Sequence, residues 1–253
     1  MKPPTIQGIK IGVANRGIPA LRVGRAIREM GGIYVAFYTE QDKTAPHVTK
    51  SDEAYNLQSE SGYLNIDEIV WIAKQHNVKA LHPGWGFAAE DSRFPSLCRE
   101  NGIIFIGPSE APMKKLGNKV KAREIAQSVS VPVIPGSQGA VTLREAKQVA
   151  QEIGYPVMLK SEGCGGGKGI VLINSPEEVE YHFEKASTIA EASFGNPNLY
   201  IEKFLSSVRH LEIQAVCDSF GNTVVLDERD CSVQRKNQKI LEKIGRASCR
   251  ERV

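Results

Sequence analysis

The stretch Tyr155–Ile170, YPVMLKSEGCGGGKGI, joins two short apolar runs through a glycine-rich loop. The first run, Tyr155–Leu159, predicts a buried strand that ends on Lys160, and residues 170–173 predict a second strand. Glycine lets consecutive backbone N–H groups turn toward one anion, so the loop can cradle phosphate oxygens while Lys160 and Lys168 add positive charge. The pattern predicts a phosphate-binding lid, with a plain β-hairpin as the alternative.

Two common nucleotide-binding motifs are absent from this sequence. Gly169 follows Lys168 where a Walker-type loop needs serine or threonine. No G-x-G-x-x-G motif opens a helix after the first predicted strand, so the dinucleotide fingerprint is also excluded. Any phosphate binding at this loop therefore belongs to another class of site.

The composition is that of an ordinary globular protein. The chain has 253 residues, 41% hydrophobic and 24% charged, which allows one large or two medium domains. It contains no apolar run long enough to span a membrane, and its first residues lack a signal-peptide core, so we expect a cytoplasmic protein without membrane partners. The net charge of +3 is not concentrated in a basic block, which argues against nucleic-acid binding. The five scattered cysteines form no C-x-x-C pair, which favours reduced thiols, with inert packing preferred for Cys164 and Cys231.

The first half of the chain alternates between strand and helix patterns. Strands are predicted at residues 9–14, 33–38, 78–81 and 103–106, and helices at 20–30, 66–76 and 94–100. This alternation predicts an α/β fold with a doubly wound parallel sheet, in which ligands bind at the carboxyl ends of the strands.

Two of these strand ends carry unusual sequences, Asn15-Arg16-Gly17 and HPGWGF at residues 82–87. Loops in such positions often carry function. The alternative is that Pro83, Gly84 and Gly86 only shape a turn, with His82 as a hydrogen-bonded turn residue.

The second half combines a hinge, the lid and a polar strand pair. Short helices are predicted at 111–116 and 119–128, a Pro/Gly-rich hinge at 131–137 and a helix at 143–153. The lid is placed at about 131–203, and the next strand is predicted at 199–204. Residues 209–216 alternate, which puts His210, Glu212 and Gln214 on one face of a strand, and residues 223–226 return antiparallel. The polar run 227–239 is interpreted as the lining of a cleft, with an ordinary solvated surface as the alternative.

Ten motifs follow one another along the chain: VANRGIPALRVGRAIRE, YLNIDEIV, HPGWGFAAED, GIIFIGPS, LGNKVKAR, VPVIPGS, YPVMLKSEGCGGGKGI, YIEKFL, RHLEIQAV and ERDCSVQRKNQK. As an ordered set they resemble the biotin carboxylase family, the ATP-grasp component of biotin-dependent carboxylases that act on acetyl-CoA, propionyl-CoA, pyruvate or urea. The resemblance covers residues 8 to about 243 and implies a pre-ATP-grasp domain at 1–117 and an incomplete ATP-grasp domain at 118–243.

The resemblance implies a ligase. ATP and bicarbonate form carboxyphosphate, and the carboxyl group passes to biotin on a carrier domain. It implies that Lys119 and Lys160 hold ATP phosphates and that Lys239 contacts bicarbonate and carboxyphosphate, where a cation stabilises developing negative charge. The other implied nucleotide contacts are backbone groups of the lid, the adenine hinge and polar residues near the ribose: Gly166, Gly167, Glu202, Lys203, Leu205, His210, Gln234 and Asn237.

The resemblance also implies cofactors and partners. These are ATP, Mg²⁺, biotin as a carried substrate, a biotin carboxyl carrier domain, a carboxyltransferase component and a homodimeric assembly. The family's Mg²⁺-binding glutamates, catalytic base and bicarbonate-binding arginine lie beyond the matched segment, so no metal ligand is assigned in this chain and the chain alone is expected to be inactive.

Three features depart from the family pattern. Cys164 interrupts the glycine run. Asn237 stands where many members carry histidine, and asparagine still provides a polar donor. Residues 244–253, IGRASCRERV, match one reading frame of a sequencing-library adapter, so we expect them to be a non-native tail, with a genuine basic tail as the alternative.

Two other functions stay open on the sequence. Another ATP-grasp ligase, such as a carbamoyl-phosphate synthase or a phosphoribosyl-amine ligase, shares the architecture but lacks the ANRG, HPGWGF and ERDCS-x-QR motifs. A non-enzymatic nucleotide-binding regulatory or assembly protein is the second alternative. The final acyl acceptor is not determined by these residues.

Overall fold

The computed structural model describes residues 6–117, 119–161, 170–235 and 238–245. The side chains of Lys119 and Phe194 fall outside this description. The chain divides into two compact units, residues 1–122 and 123–253.

The first unit is built on a five-stranded parallel sheet in the order β3-β2-β1-β4-β5. This confirms the predicted doubly wound sheet. Its strands are β1 Lys10–Val13, β2 Ile33–Tyr38, β3 Glu53–Asn56, β4 Ala80–His82 and β5 Ile104–Phe105. Its helices are α1 Gly17–Glu29, α2 Pro46–Thr49, α3 Ile66–Gln75, α4 Arg93–Glu100 and α5 Glu110–Gly117. The next helix, α6 Lys119–Ser128, leads into the second unit.

Helices cover both faces of this sheet, as the alternation along β2 shows. Val35 and Phe37 belong to one buried apolar cluster, together with Ile69 of α3. Tyr34 and Ala36 belong to a second cluster. Successive side chains of a strand point to opposite faces, so two clusters on one strand require packing on both sides.

The strand β3 was not predicted from the sequence. Its residues, EAYN, are half-buried and mostly polar, so they lack the apolar run of an interior strand. β3 lies at the edge of the sheet and pairs with Val35–Tyr38 on one side only. An edge strand needs less apolar surface than a central one, and its signal in the sequence is correspondingly weak.

After α6, the second unit contains an antiparallel sheet in the order β7-β6-β8, which lies within the predicted lid and is called the lid sheet below. The predicted strand–loop–strand is confirmed as the pair β6–β7, and the loop itself, residues 162–169, lies outside the described residues. The strands are β6 Val157–Ser161, β7 Ile170–Ile173 and β8 Leu199–Lys203. The lid helices are α7 Leu143–Ile153 and α8 Val179–Phe194, of which α8 was not predicted.

Both lid helices pack into one apolar cluster with the sheet. Leu159 of β6 and Ile201 of β8 are fully buried there, beside Ala150 of α7 and Ala190 of α8. The Thr142 side chain and the Glu145 carboxylate form a capping box that starts α7. Because Lys160 follows Leu159 on β6, alternation points it away from the helix-covered face.

A second antiparallel sheet follows, in the order β11-β10-β9. Its strands are β9 Leu211–Cys217, β10 Thr223–Arg235 and β11 Gln238–Ile244. The predicted antiparallel return at 223–226 is confirmed, but ending that strand at Leu226 was wrong. β10 continues through the polar run because its charged side chains find cross-strand partners, such as Glu212 for Arg229.

In the described part of the chain, no helix combines the length and the apolar character that crossing a membrane requires.

Candidate functional site

An ion pair joins two strands of the lid sheet. The Lys160 amine on β6 contacts the Glu202 carboxylate on β8. The strands β6 and β8 are antiparallel neighbours in the sheet. The side chains are 20% and 8% exposed, so the pair is largely removed from water. A carboxylate this buried needs a cationic partner, which Lys160 provides. The structure therefore brings together two of the predicted site residues.

A third charged residue, which sequence reasoning missed, completes this group. Arg123 on α6 has its Nη1 atom 3.8 Å from Glu202 Oε2. Its Nη2 atom donates a hydrogen bond to the Ile134 carbonyl, at 2.7 Å. Arg123 is the last residue of the motif LGNKVKAR, from which only Lys119 was predicted as a site residue. A signal was thus present in the sequence, but nothing in it indicated the partner of Arg123.

The two residues after Glu202 have different surroundings. The Lys203 amine donates to the carbonyls of Gly154 and Tyr155, at 3.0 and 3.1 Å. Its side chain therefore holds the turn before β6, which leaves backbone groups for the implied adenine contact. Leu205 is 45% exposed just after β8.

A second group of predicted residues meets on the sheet β9–β11. Glu212 pairs with Lys239 of β11 and, at 2.7 Å, with Arg229 of β10. Gln234 Nε2 lies 3.0 Å from His210 Nδ1, and His210 Nε2 lies 3.5 Å from the Glu212 carboxylate. The antiparallel register creates this group, since Gln234 is directly opposite Lys239 and Arg229 is opposite Glu212.

The charges in this second group support one another. The hydrogen bond from Lys239 is the largest effect on Glu212 and holds the pKa of its carboxyl below the ordinary value. Glu212 is therefore ionised at neutral pH and keeps the Lys239 and Arg229 cations in place. A fixed cation of this kind can stabilise negative charge that develops on a bound anion.

One set of potential metal ligands occurs among the described residues, but it does not fit Mg²⁺. Ligand atoms of Glu212, Cys231 and Glu242 lie within 4.8 Å of one another. Mg²⁺ requires oxygen ligands, whereas this set includes a thiol whose pKa is raised by burial. Glu212 is already paired with two cations. We therefore derive no metal-dependent step from this group.

Several predicted residues lie wholly or partly outside the described part of the chain. Lys119 begins α6, and its side chain is outside the described part. Gly166, Gly167, Asn237 and residues 246–253 also lie outside the described residues.

The two unusual strand ends of the first unit meet each other. The Asn15 side-chain amide donates to the carbonyls of Pro83 and Trp85, at 2.9 and 2.8 Å. His82 Nδ1 accepts a hydrogen bond from the Gly84 N–H, at 2.9 Å. Gly84 has a φ of 67°, and a Cβ there would meet Asn15 atoms at 2.5 Å. His82 is therefore the hydrogen-bonded turn residue of the alternative interpretation, and the loop presents Trp85 to solvent.

The described cysteines differ in burial, which leads to a labelling prediction. Cys98 and Cys231 are buried, whereas Cys217 is exposed. Burial raises the pKa of the Cys98 thiol to about 12 and also raises that of Cys231. We expect iodoacetamide at about pH 8 to label Cys217 at least about tenfold faster than the two buried thiols. Peptide-resolved mass spectrometry after timed labelling measures the rates.

Denatured protein serves as the labelling control, because all three thiols should then react at similar rates. If Cys231 reacted as fast as Cys217 in the folded protein, the inert packing assigned to it would be wrong.

Family models match both units of the chain. One described as "Biotin carboxylase, N-terminal domain" matches residues 7–113. Another, described as "Carbamoyl-phosphate synthase L chain, ATP binding domain", matches residues 118–246.

Curated relatives match nearly the whole chain. Biotin carboxylase 1 of Bacillus subtilis is 46% identical over 237 residues, which cover 92% of this chain and 53% of that protein. Human mitochondrial pyruvate carboxylase is 44% identical over 238 residues, which cover 92% of this chain and 20% of that protein. The chain thus spans about half the length of the biotin carboxylases that it matches.

Solved structures agree with these relatives. The biotin carboxylase domain dimer of Hydrogenobacter thermophilus 2-oxoglutarate carboxylase, in complex with MgADP, ADP and bicarbonate, superposes with a TM-score of 0.86 at 44% identity. That match covers 92% of this chain and 52% of the solved chain. Campylobacter jejuni biotin carboxylase, in a β,γ-ATP complex, gives 0.86 at 40% identity and covers 92% of this chain and 53% of its own. From these matches and the ordered motifs, the chain belongs to the biotin carboxylase family.

Proposed function

We propose that this chain supplies the nucleotide-binding part of a biotin carboxylase. In this reaction bicarbonate takes the γ-phosphoryl group of ATP to give carboxyphosphate and ADP. The carboxyl group is then transferred to a ureido nitrogen of biotin on a carrier domain, and phosphate is released. The observation that carries the proposal is the buried Lys160–Glu202 pair on neighbouring lid strands. In the sequence, the glycine-rich segment 162–169 directly follows β6. The nucleotide and bicarbonate complexes of the solved relatives support it.

Each site residue has a role in this proposal. Lys160 and Lys119 neutralise ATP phosphates, and Lys239 contacts bicarbonate and carboxyphosphate. The remaining contacts come from the lid backbone, the adenine hinge and the polar group near the ribose: Gly166, Gly167, Glu202, Lys203, Leu205, His210, Gln234 and Asn237. The domains are residues 1–117 and 118–243, with the lid at about 131–203.

The protein's contribution to this chemistry is mainly charge and position. Phosphoryl transfer requires neutralisation of spreading negative charge and exclusion of water, which lysines and a closing lid supply. Lys239, oriented by Glu212, offers a fixed cation where carboxyphosphate would form. Bound Mg²⁺ would add further charge neutralisation, although the Glu212–Cys231–Glu242 group among the described residues does not fit it.

The proposed partners follow from the reaction. The carboxyl acceptor is biotin on a carrier domain, and a carboxyltransferase component passes the carboxyl group onward. A homodimeric assembly is also proposed, in line with the dimer named for the Hydrogenobacter structure.

Nucleotide titration tests the proposal on the chain itself. Isothermal titration with ATP should give saturable binding, and bicarbonate should not replace ATP. In any longer form of this protein, ATP cleavage should need bicarbonate and increase with free biotin. An absence of ATP binding would contradict the proposal. A rate of ATP cleavage that does not change when biotin is added would favour another ATP-grasp ligase.

A further inference from the structure

Arg123 links three parts of the second unit through its guanidinium group. It lies on α6, and its side chain is only 19% exposed. One nitrogen donates to the Ile134 carbonyl, and the other faces Glu202. Arginine suits this position because its planar group presents several donors in a fixed arrangement.

The Ile134 contact anchors a short segment that runs along β8, which we name the strap, residues 134–137. The Lys203 N–H donates to the Pro135 carbonyl at 2.8 Å, and the Ser137 N–H donates to the Ile201 carbonyl at 2.8 Å. A Cβ on Gly136 would meet the Ile201 carbonyl at 2.4 Å, so only glycine fits this close approach. The strap and Glu202 are thereby held in one arrangement with Arg123.

The two oxygens of Glu202 are divided between two cations. Oε1 contacts Lys160, and Oε2 faces Arg123. The group of three side chains therefore carries one net positive charge. Without Arg123, Lys160 and Glu202 would form a neutral pair. The buried Glu202 carboxylate would then have only Lys160 as a cation within this group.

This division matters for a lysine that must also bind phosphate. If Glu202 depended on Lys160 alone, moving the amine toward a phosphate would leave a buried carboxylate uncompensated, which is costly. With Arg123 present, Glu202 keeps a cation while Lys160 turns to the nucleotide.

We propose that Arg123 is a positioning residue for Lys160: it holds Glu202 so that the Lys160 amine can exchange that carboxylate for an ATP phosphate. This inference rests on the nucleotide site of the proposed function. Arg123 does not itself contact the reacting atoms in this scheme.

A double-mutant cycle tests the coupling. ATP affinity is measured by calorimetry for the unmodified chain, Arg123→Met, Glu202→Gln and the double variant. Arg123→Met should weaken ATP binding by roughly tenfold when Glu202 is present. In the Glu202→Gln background the same change should matter less than about twofold, because no buried carboxylate then competes for Lys160.

Two further variants keep the test interpretable. Arg144→Met removes an exposed arginine from α7 of the same unit and should leave ATP affinity unchanged. Should Arg123→Met fail to fold, as judged by circular dichroism, Arg123→Lys replaces it in both backgrounds, with a smaller loss that also disappears with Glu202→Gln.

The outcomes separate this inference from the proposed function. Equal losses of affinity in both backgrounds would overturn the inference and assign Arg123 to general folding or to direct ligand contact. If the unmodified chain bound no ATP, the nucleotide site would be wrong, and the inference would fall with it.

Discussion

Replacing Lys160 with alanine is expected to weaken ATP binding by roughly 100-fold or more. The substitution removes a largely buried cation from the proposed phosphate site. It also leaves Glu202 with Arg123, 3.8 Å away, as the remaining cation of the group. The site then loses its net positive charge, so the ATP phosphates meet an environment that no longer favours them. Calorimetric titration with ATP measures the change.

Lys147→Ala is the matched control for this experiment. Lys147 lies on the lid helix α7 and pairs with Glu180 at the surface, where both side chains are about half exposed. An exposed pair contributes little to stability, and its loss should not change ATP affinity. If Lys160→Ala bound ATP as tightly as the unmodified chain, the phosphate role of Lys160 would be refuted.

Replacing Leu159 with alanine should lower the free energy of unfolding of the lid by about 2–5 kcal/mol. Leu159 is fully buried on β6, the central strand of the lid sheet, within the cluster formed with α7 and α8. Truncation removes buried methyl groups and leaves a cavity that rigid neighbours fill only in part. Urea denaturation followed by circular dichroism measures the loss.

Leu172→Ala provides the comparison on the neighbouring strand β7. Leu172 is 41% exposed, so its truncation removes less buried surface and should cost clearly less than Leu159→Ala. Similar losses for both variants would show that Leu159 does not occupy the tightly packed core described for the lid.

The parallel sheet and the lid strands were predictable because their signals are local. Apolar runs bounded by glycine and proline predict buried strands such as β2 and β6, whichever residues they pair with. The elements with weak local signals were not predicted correctly. β3 is a polar edge strand. β10 continues through charged residues, and these adopt a strand because β9 and β11 supply their cross-strand partners.

The site residues were also predicted only in part. Lys160, Glu202, His210, Gln234 and Lys239 could be named from motifs, and alternation along 209–216 put His210 and Glu212 on one face. The pattern did not indicate that the Lys203 side chain would be used by backbone carbonyls, because that contact depends on the path of the turn at Gly154 and Tyr155.

By itself, the sequence determined the family, the order of the strands and helices with strong periodicity, and the chemical types available for phosphate binding. Only the tertiary structure decided which charges meet. Arg123 and Glu202 lie far apart in the chain, and they interact because α6, the strap and β8 converge. Ion pairing depends on distance and burial in three dimensions, and residue spacing along the chain contains neither.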